Sequence, residues 1–158
     1  MDSETFNRLY DDHAAGLLAF LTYQTGDRVL AEDIVADTFE RVLTTRKGWR
    51  GRATEKTWIY AIAMNRARDL ARRRSAESRA LERAQPVEPA GEPMGGSDDR
   101  DLLRRAVQKL PPDERAIVAL RFGADLTLNE IAELTGERRT TIEGRLYRGL
   151  RRLRDEAL

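Results

Sequence analysis

Cysteine is absent from this chain, and histidine occurs once, at His13. Without thiols there can be no disulfide, no thiol nucleophile and no Cys-ligated zinc, and a reducing compartment is the expectation. One histidine and no phosphate-cradling glycine loop leave no credible catalytic set. No enzyme activity, cofactor, metal or small-molecule substrate is therefore expected. Long apolar runs are missing as well. Nothing approaches the ~20 residues of a membrane span, and no signal-peptide pattern is present, so no membrane span and a cytoplasmic location are expected. An excess of charge of one sign is also lacking, with 28 Lys and Arg against 27 Asp and Glu. Strand signals are nearly absent, which leaves helix as the dominant element.

The charge has to be read by segment. Residues 1–84 carry 15 basic and 13 acidic residues, residues 85–101 carry one and five, and residues 102–158 carry 12 and nine. Two mildly basic segments thus flank an acidic one. The middle segment begins QPVEPAGEPMGGSDD, with three prolines, three glycines and no basic residue. That composition suits neither helix nor strand and predicts a flexible linker. The expected fold is all-α: two small helical domains, 1–84 and 102–158, joined by a flexible acidic linker at 85–101.

In the first segment, Phe6, Leu9, Tyr10, Leu17, Leu18 and Leu21 recur at helical intervals between Thr5 and Tyr23. After a turn at Thr25-Gly26-Asp27, a second amphipathic helix is predicted from Arg28 to Thr44. Leu30, Ala31, Ile34, Val35, Phe39 and Val42 fill one side of it, and Asp33, Asp37 and Glu40 share the opposite face. A glycine-containing charged break at 49–57 precedes a third helix, which starts near Thr57. Its first half is apolar and its second half arginine-rich. On this helix Trp58, Asn65 and Arg72 lie on one side, with Arg68 and Asp69 near its edges. An aromatic, an amide and arginines beside a flexible loop suit a base pulled from its stack, although Trp58 equally suits plain core. Together these elements predict a three- or four-helix bundle.

The second segment is also helical. LPPDERAIVALRFG (110–123) opens with prolines suited to a first turn and ends at glycine. Thr127 and Glu130 have capping-box spacing, with Leu126 and Ile131 at the staple positions. This short helix ends at Gly136, and an arginine-rich helix follows. A short helix, a glycine turn and a basic second helix form a helix-turn-helix signature. In RRTTIEGRLYRGLRRLR (138–154), seven of 17 residues are arginine. At 100° per residue, Ile142, Leu146, Gly149, Leu150 and Leu153 share one side. Gly144, Tyr147, Arg148 and Arg151 share the other, flanked by Arg145 and Arg152. Arginine suits bidentate contacts to guanine edges and to phosphate.

Three segments, in order, resemble an extracytoplasmic-function sigma factor of bacterial RNA polymerase. AEDIVADTFERV (31–42) is similar to region 2.2, TWIYAIAMNRARDLARRR (57–74) to regions 2.3 and 2.4, and residues 110–154 to region 4. The resemblance implies a subunit that binds core RNA polymerase and directs promoter-specific initiation by reading −35 duplex and melting −10 DNA. Core contacts would come from Leu30, Asp33, Asp37 and Glu40. Contacts to −10 DNA would come from Arg50, Arg52, Thr54, Lys56, Trp58, Asn65, Arg68 and Arg72, the 50–56 segment matching the loop that captures a flipped base. Contacts to −35 DNA would come from Arg138, Arg139, Thr141, Gly144, Arg145, Tyr147, Arg148, Arg151 and Arg152. An anti-sigma partner is a further expectation of the resemblance. The alternative is a helix-turn-helix regulator that is not a polymerase subunit.

Two places depart from the family pattern. The capture loop carries Ala53-Thr54-Glu55-Lys56 where an aromatic residue is frequent. Glu143 and Gly144 stand where a basic residue and a serine are common. Glu143 lies three residues after Thr140, the spacing of a capping box. The linker sets a mechanical condition. Promoter elements about 25 base pairs apart are ~85 Å apart at ~3.4 Å per step. The linker's free-chain average is only ~20 Å, so polymerase has to hold the two domains apart.

Overall fold

Helix α1 (Ser3–Thr25) starts because Asp2 accepts a hydrogen bond from the Thr5 backbone N–H, at 2.7 Å. It ends at Gly26, whose φ of +73° is the left-handed conformation that glycine tolerates best. One residue later Asp27 caps α2 (Arg28–Thr44) through the Leu30 N–H, so a single short turn reverses the chain. Thr54 then caps α3 (Glu55–Glu82), its hydroxyl accepting from the Thr57 N–H at 3.1 Å. The third helix therefore begins two residues before the position its periodicity suggests, because the cap and not the first apolar residue sets the boundary.

This computed structural model describes residues 2–45, 54–82 and 98–157. Arg50 and Arg52, and residues 85–97 of the linker, lie outside the described residues. Among the described residues there is no strand. Helix α4 (Asp98–Gln108) begins inside the segment read as linker. Helix α5 (Pro112–Val118) has proline in its first turn and runs into a π-helical turn, Ala119–Gly123. The single helix read over 110–123 is thus two, separated from α4 by a tight turn at Lys109–Pro111. Helix α6 (Leu128–Thr135) has the capping box expected from Thr127 and Glu130. Gly136, at φ +73°, turns the chain into α7 (Arg139–Ala157).

Helices α1 to α3 form a three-helix bundle, and α4 to α7 a second cluster ending in the helix-turn-helix. The two clusters share one core. Leu17, Phe20, Leu21, Ile34, Ile59 and Tyr60 in the first join Ile117, Leu120, Leu126, Ile131 and Ile142 in the second, all nearly inaccessible to solvent. Small residues make the junction possible. A Cβ placed on Gly123 would sit 3.2 Å from backbone atoms of Ala19 and Phe20, and one on Gly16 would sit 2.6 Å from the Tyr60 hydroxyl oxygen. The backbones of α1 and the π-helical turn thus approach closely, with the Phe20 and Tyr60 rings 6.0 Å apart beside them.

Polar contacts close the rim of this junction. The Gln108 side-chain amide donates to the Tyr23 carbonyl. Lys56 Nζ pairs with Glu130 Oε2 at 3.3 Å, joining α3 to α6. Glu130 uses its other oxygen to cap α6, accepting the Thr127 N–H at 2.9 Å. Burial tends to raise the Glu130 pKa, but bonds from Thr127 and Lys56 outweigh it and hold the carboxyl below its ordinary value. A partly exposed pair of this kind contributes ~0–1 kcal/mol. Apolar burial and close backbone contact therefore carry the docking, and the charges orient it.

Gly123→Val tests this assignment. Forcing side-chain atoms into that contact costs about 1–3 kcal/mol. The expected outcome is a larger radius of gyration by small-angle scattering with helicity by circular dichroism retained.

Candidate nucleic-acid interface

Helix α7 divides by face as its sequence period requires. Ile142 and Leu146 are buried, Leu150 and Leu153 pack partly against the core, and a Cβ on Gly149 would meet Val118 Cγ2 at 2.9 Å. On the opposite face Tyr147 is 67% exposed, and Arg148 and Arg151 are exposed beside it. A Cβ on Gly144 would meet only the tip of Arg148, at 3.4 Å. This bare stretch lets a flat surface, such as the edge of a base pair, come close to the backbone.

The arginines of this region fall into two groups. Arg138, Arg148 and Arg151 are exposed and form no ion pair among the described residues. The others are held. Arg139 donates to Glu143 and to Asn129, both at 3.0 Å. Half-buried Arg145 pairs with Glu137 at 3.4 Å and Asp113 at 3.6 Å. Arg152 donates through Nε to Glu114 at 2.9 Å, and Glu114 is only 4% exposed. Thr141 is half-buried.

Of the alternatives the sequence leaves open for Glu143, the capping box with Thr140 is not formed. Helix α7 begins at Arg139, which places Thr140 inside the first turn rather than at the cap. The Glu143 carboxylate therefore meets Arg139 one turn earlier, the i, i+4 spacing that favours such pairs. The Glu114–Arg152 pair has no sequence signal, because 38 residues separate its members.

On the first bundle the expected −10 set is split between two surfaces. Asn65 is exposed and lies in a polar groove of about 440 Å³ between α2 and α3, together with Asp37 and Glu40. Arg68 and Arg72 line a different recess, a cleft of about 600 Å³ between the two clusters, with Arg145 on its other wall. Trp58 is partly buried and packs against the core. The Thr54 hydroxyl is engaged in capping α3, and Lys56 is engaged by Glu130. Beside them Arg8 grips Glu55 with two 3.0 Å bonds, and that hydrogen bonding keeps the Glu55 carboxyl below its ordinary pKa. Burial lowers the pKa of nearby half-buried His13.

On α2, Asp33 and Glu40 are exposed and Leu30 is half-buried. Asp37 is partly buried, and its carboxylate accepts from Arg66 Nε at 2.9 Å. Sequence reading missed Arg66, whose partner is 29 positions away. Among the described residues no cluster of three or more His, Cys, Asp or Glu suits a metal ion. Among the described residues no helix is long and apolar enough to cross a membrane.

Comparison with known proteins places both clusters. Residues 9–77 match the family described as Sigma-70 region 2, and residues 100–153 match Sigma-70, region 4. RNA polymerase sigma factor SigV of Bacillus subtilis is 35% identical over 140 residues, spanning 87% of this chain and 80% of that protein. CarQ of Myxococcus xanthus, also an RNA polymerase sigma factor, is 30% identical over 154 residues, spanning 96% and 88%. The fold is similar to that of the sigma factor RpoE from Bartonella quintana, solved in complex with the anti-sigma factor NepR. There the TM-score is 0.82 at 22% identity, over 98% of this chain and 97% of that one. It is also similar to CnrH, solved with the cytosolic domain of CnrY, at a TM-score of 0.71 and 22% identity.

Three substitutions separate packing from surface chemistry. Leu146→Ala opens a core cavity and should cost about 2–5 kcal/mol in a thermal or denaturant melt. Arg152→Ala leaves a buried carboxylate unpaired and should cost about 1–3 kcal/mol, because the arginine end of the pair is solvated. Arg148→Ala should leave the same melt within about 0.5 kcal/mol of the parent.

Proposed function

The chain belongs to the extracytoplasmic-function sigma factors of the sigma-70 family, and from that membership we propose how its surfaces carry out promoter-specific initiation by RNA polymerase. The protein binds core polymerase and promoter DNA. It contributes recognition rather than bond chemistry, and it works in the cytoplasm beside the polymerase. The observation that carries the reading of the second cluster is the two-faced α7, with a buried Ile142 and Leu146 stripe opposite bare Tyr147, Arg148 and Arg151. A helix-turn-helix regulator acting without polymerase is not favoured, because residues 9–77 match region 2.

In this reading α7 enters the −35 major groove. Arg148 reads a base edge, and Arg138 and Arg151 bind phosphates. Arg139, Arg145 and Arg152 hold the helix-turn-helix together through their ion pairs, and they reach DNA only by giving those pairs up. Asn65, with the segment leading into α3, takes the −10 strand. Asp33, Asp37 and Glu40 on α2 meet basic residues of the polymerase. The first domain is 1–84, and the second begins with α4 at Asp98, so the connecting segment is shorter than the 85–101 expected from composition.

The packed arrangement holds Lys56 against Glu130 and gathers Arg68, Arg72 and Arg145 around one cleft. The two DNA-reading surfaces cannot serve elements ~85 Å apart while their clusters share a core. The clusters therefore separate when polymerase binds. An anti-sigma partner would act by favouring the packed arrangement. The sigma factor RpoE of Bartonella quintana, of similar fold, is solved with the anti-sigma factor NepR, which supports such a partner here.

Run-off transcription with core polymerase over a genomic promoter library is the direct test. Initiation at a defined set of start sites is expected, and none above core alone contradicts the function. Within active complexes, Asp33→Lys combined with Glu40→Lys should weaken core binding most at low salt, where exposed charges are least screened. Arg148→Ala should cost about 1–3 kcal/mol on the preferred −35 sequence and relax preference at one position.

A further inference from the structure

We propose that Arg66 is a contact to the −10 strand that Asp37 holds in reserve until polymerase claims that carboxylate. The proposal rests on the function argued above, in which Asp37 meets the polymerase and Asn65 meets the strand. What the structure adds is that the two are linked. Arg66 follows Asn65 on α3, and its Nε donates to Asp37 Oδ2 on α2 at 2.9 Å. Asn65, Arg66 and Asp37 line the same groove. A guanidinium has five N–H donors in a planar fork. Here one is engaged, and the two terminal nitrogens form no hydrogen bond among the described residues.

The electrostatics of the groove explain why the free chain would not present Arg66 to DNA. Asp37, Glu40 and Asp69 line the groove with Arg41 and Arg66, and Arg72 sits 3.9 Å from Asp69, so Asp37 and Glu40 carry most of its negative charge. Such a groove repels phosphate. A basic polymerase residue that pairs with Asp37 changes both conditions together. It cancels one negative charge and releases the arginine next to Asn65. The Asp37 and Arg66 side chains are 42% and 36% exposed, so their pair is easily exchanged for another. Core binding on α2 is thereby coupled to strand capture on α3 through one ion pair, with no movement of either helix required.

The test uses the full chain and a labelled mixed-sequence single-stranded DNA oligonucleotide, with affinity measured across a salt series. Asp37→Asn frees Arg66 without polymerase. It should tighten binding about two- to fivefold at low salt, the range an exposed ion pair spans. It should also steepen the salt dependence by about 0.7, the value for one added single-strand phosphate contact. Arg66→Gln alone should leave binding near the parent level, since that arginine is already occupied. In the Asp37→Asn background, Arg66→Gln should erase the gain and Arg66→Lys should keep it. Circular dichroism melts confirm that each variant is folded.

A gain that survives in Asp37→Asn/Arg66→Gln does not need that arginine and overturns the proposal, as does a loss in Arg66→Gln alone equal to the Asp37→Asn gain, which would mark net charge only. So does the absence of any gain. In holoenzyme, Arg66→Gln should lower the salt slope for the same strand by about 0.7. A parent protein that opens no promoter with core polymerase would overturn the proposed function. The free-chain series would still decide whether Asp37 restrains Arg66.

Discussion

The backbone of α1 lies directly against the π-helical turn at Ala119–Gly123, and the rest of the structure is arranged around that contact. It exists because Ala19 and Gly123 present almost no side chain, while Gly16 beside them leaves room for the Tyr60 hydroxyl. Larger residues at these points would hold the clusters apart and expose Phe20, Tyr60 and Leu120, which are now nearly fully buried. The turn itself closes with an i→i+5 bond, Ala124 N–H to the Ala119 carbonyl at 3.2 Å. That extra residue widens the helix where α1 meets it. Close contact of this sort is strong when made and lost in one step when the surfaces part, since dispersion falls away within a fraction of an ångström. In the proposed function the junction acts as a two-position element rather than a soft hinge.

The charged residues follow from this arrangement. A chain with 28 basic and 27 acidic residues can pair many of its ions internally, and among the described residues it does so. Lys56 rests on Glu130, Arg66 on Asp37, Arg145 on Glu137 and Asp113, and Arg152 on Glu114. Most of these pairs are partly solvated, so each adds little stability and each can be exchanged for phosphate or for another protein's charge. The Glu114–Arg152 pair differs, because its carboxylate is buried and breaking it strands a charge. Arg138, Arg148 and Arg151 are left open on the outer side of the helix-turn-helix, where duplex DNA can be met without any internal exchange.

Features governed by neighbouring residues were legible in the sequence. The bounds of α2 follow from Asp27 at its start and the end of its apolar period, and they are found at Arg28 and Thr44. The capping box of Thr127 and Glu130, with Leu126 and Ile131 buried on either side of it, is equally local. So is the division of α7 into a packed and a bare face. Features that depend on distant partners were not legible. Glycine and alanine leave no apolar stripe, so the surface that joins the clusters is silent in the hydrophobic pattern. No residue type announces a π-helical turn, and the helix read over 110–123 breaks there. Asp37 sits on the expected acidic face, yet its partner could be known only from the α2–α3 packing.

Since the chain has no cysteine, two can be introduced as unique labelling sites. Asn7 on α1 and Glu133 on α6 are both exposed, one on each cluster. Energy transfer between dyes on Asn7→Cys and Glu133→Cys would report their separation in the free chain and in an open promoter complex. High transfer in the free chain that collapses in the complex is the predicted result, since the complex must span ~85 Å of DNA. Equal transfer in the free chain and in a transcribing complex would contradict the claim that the shared core has to part for the promoter to be read.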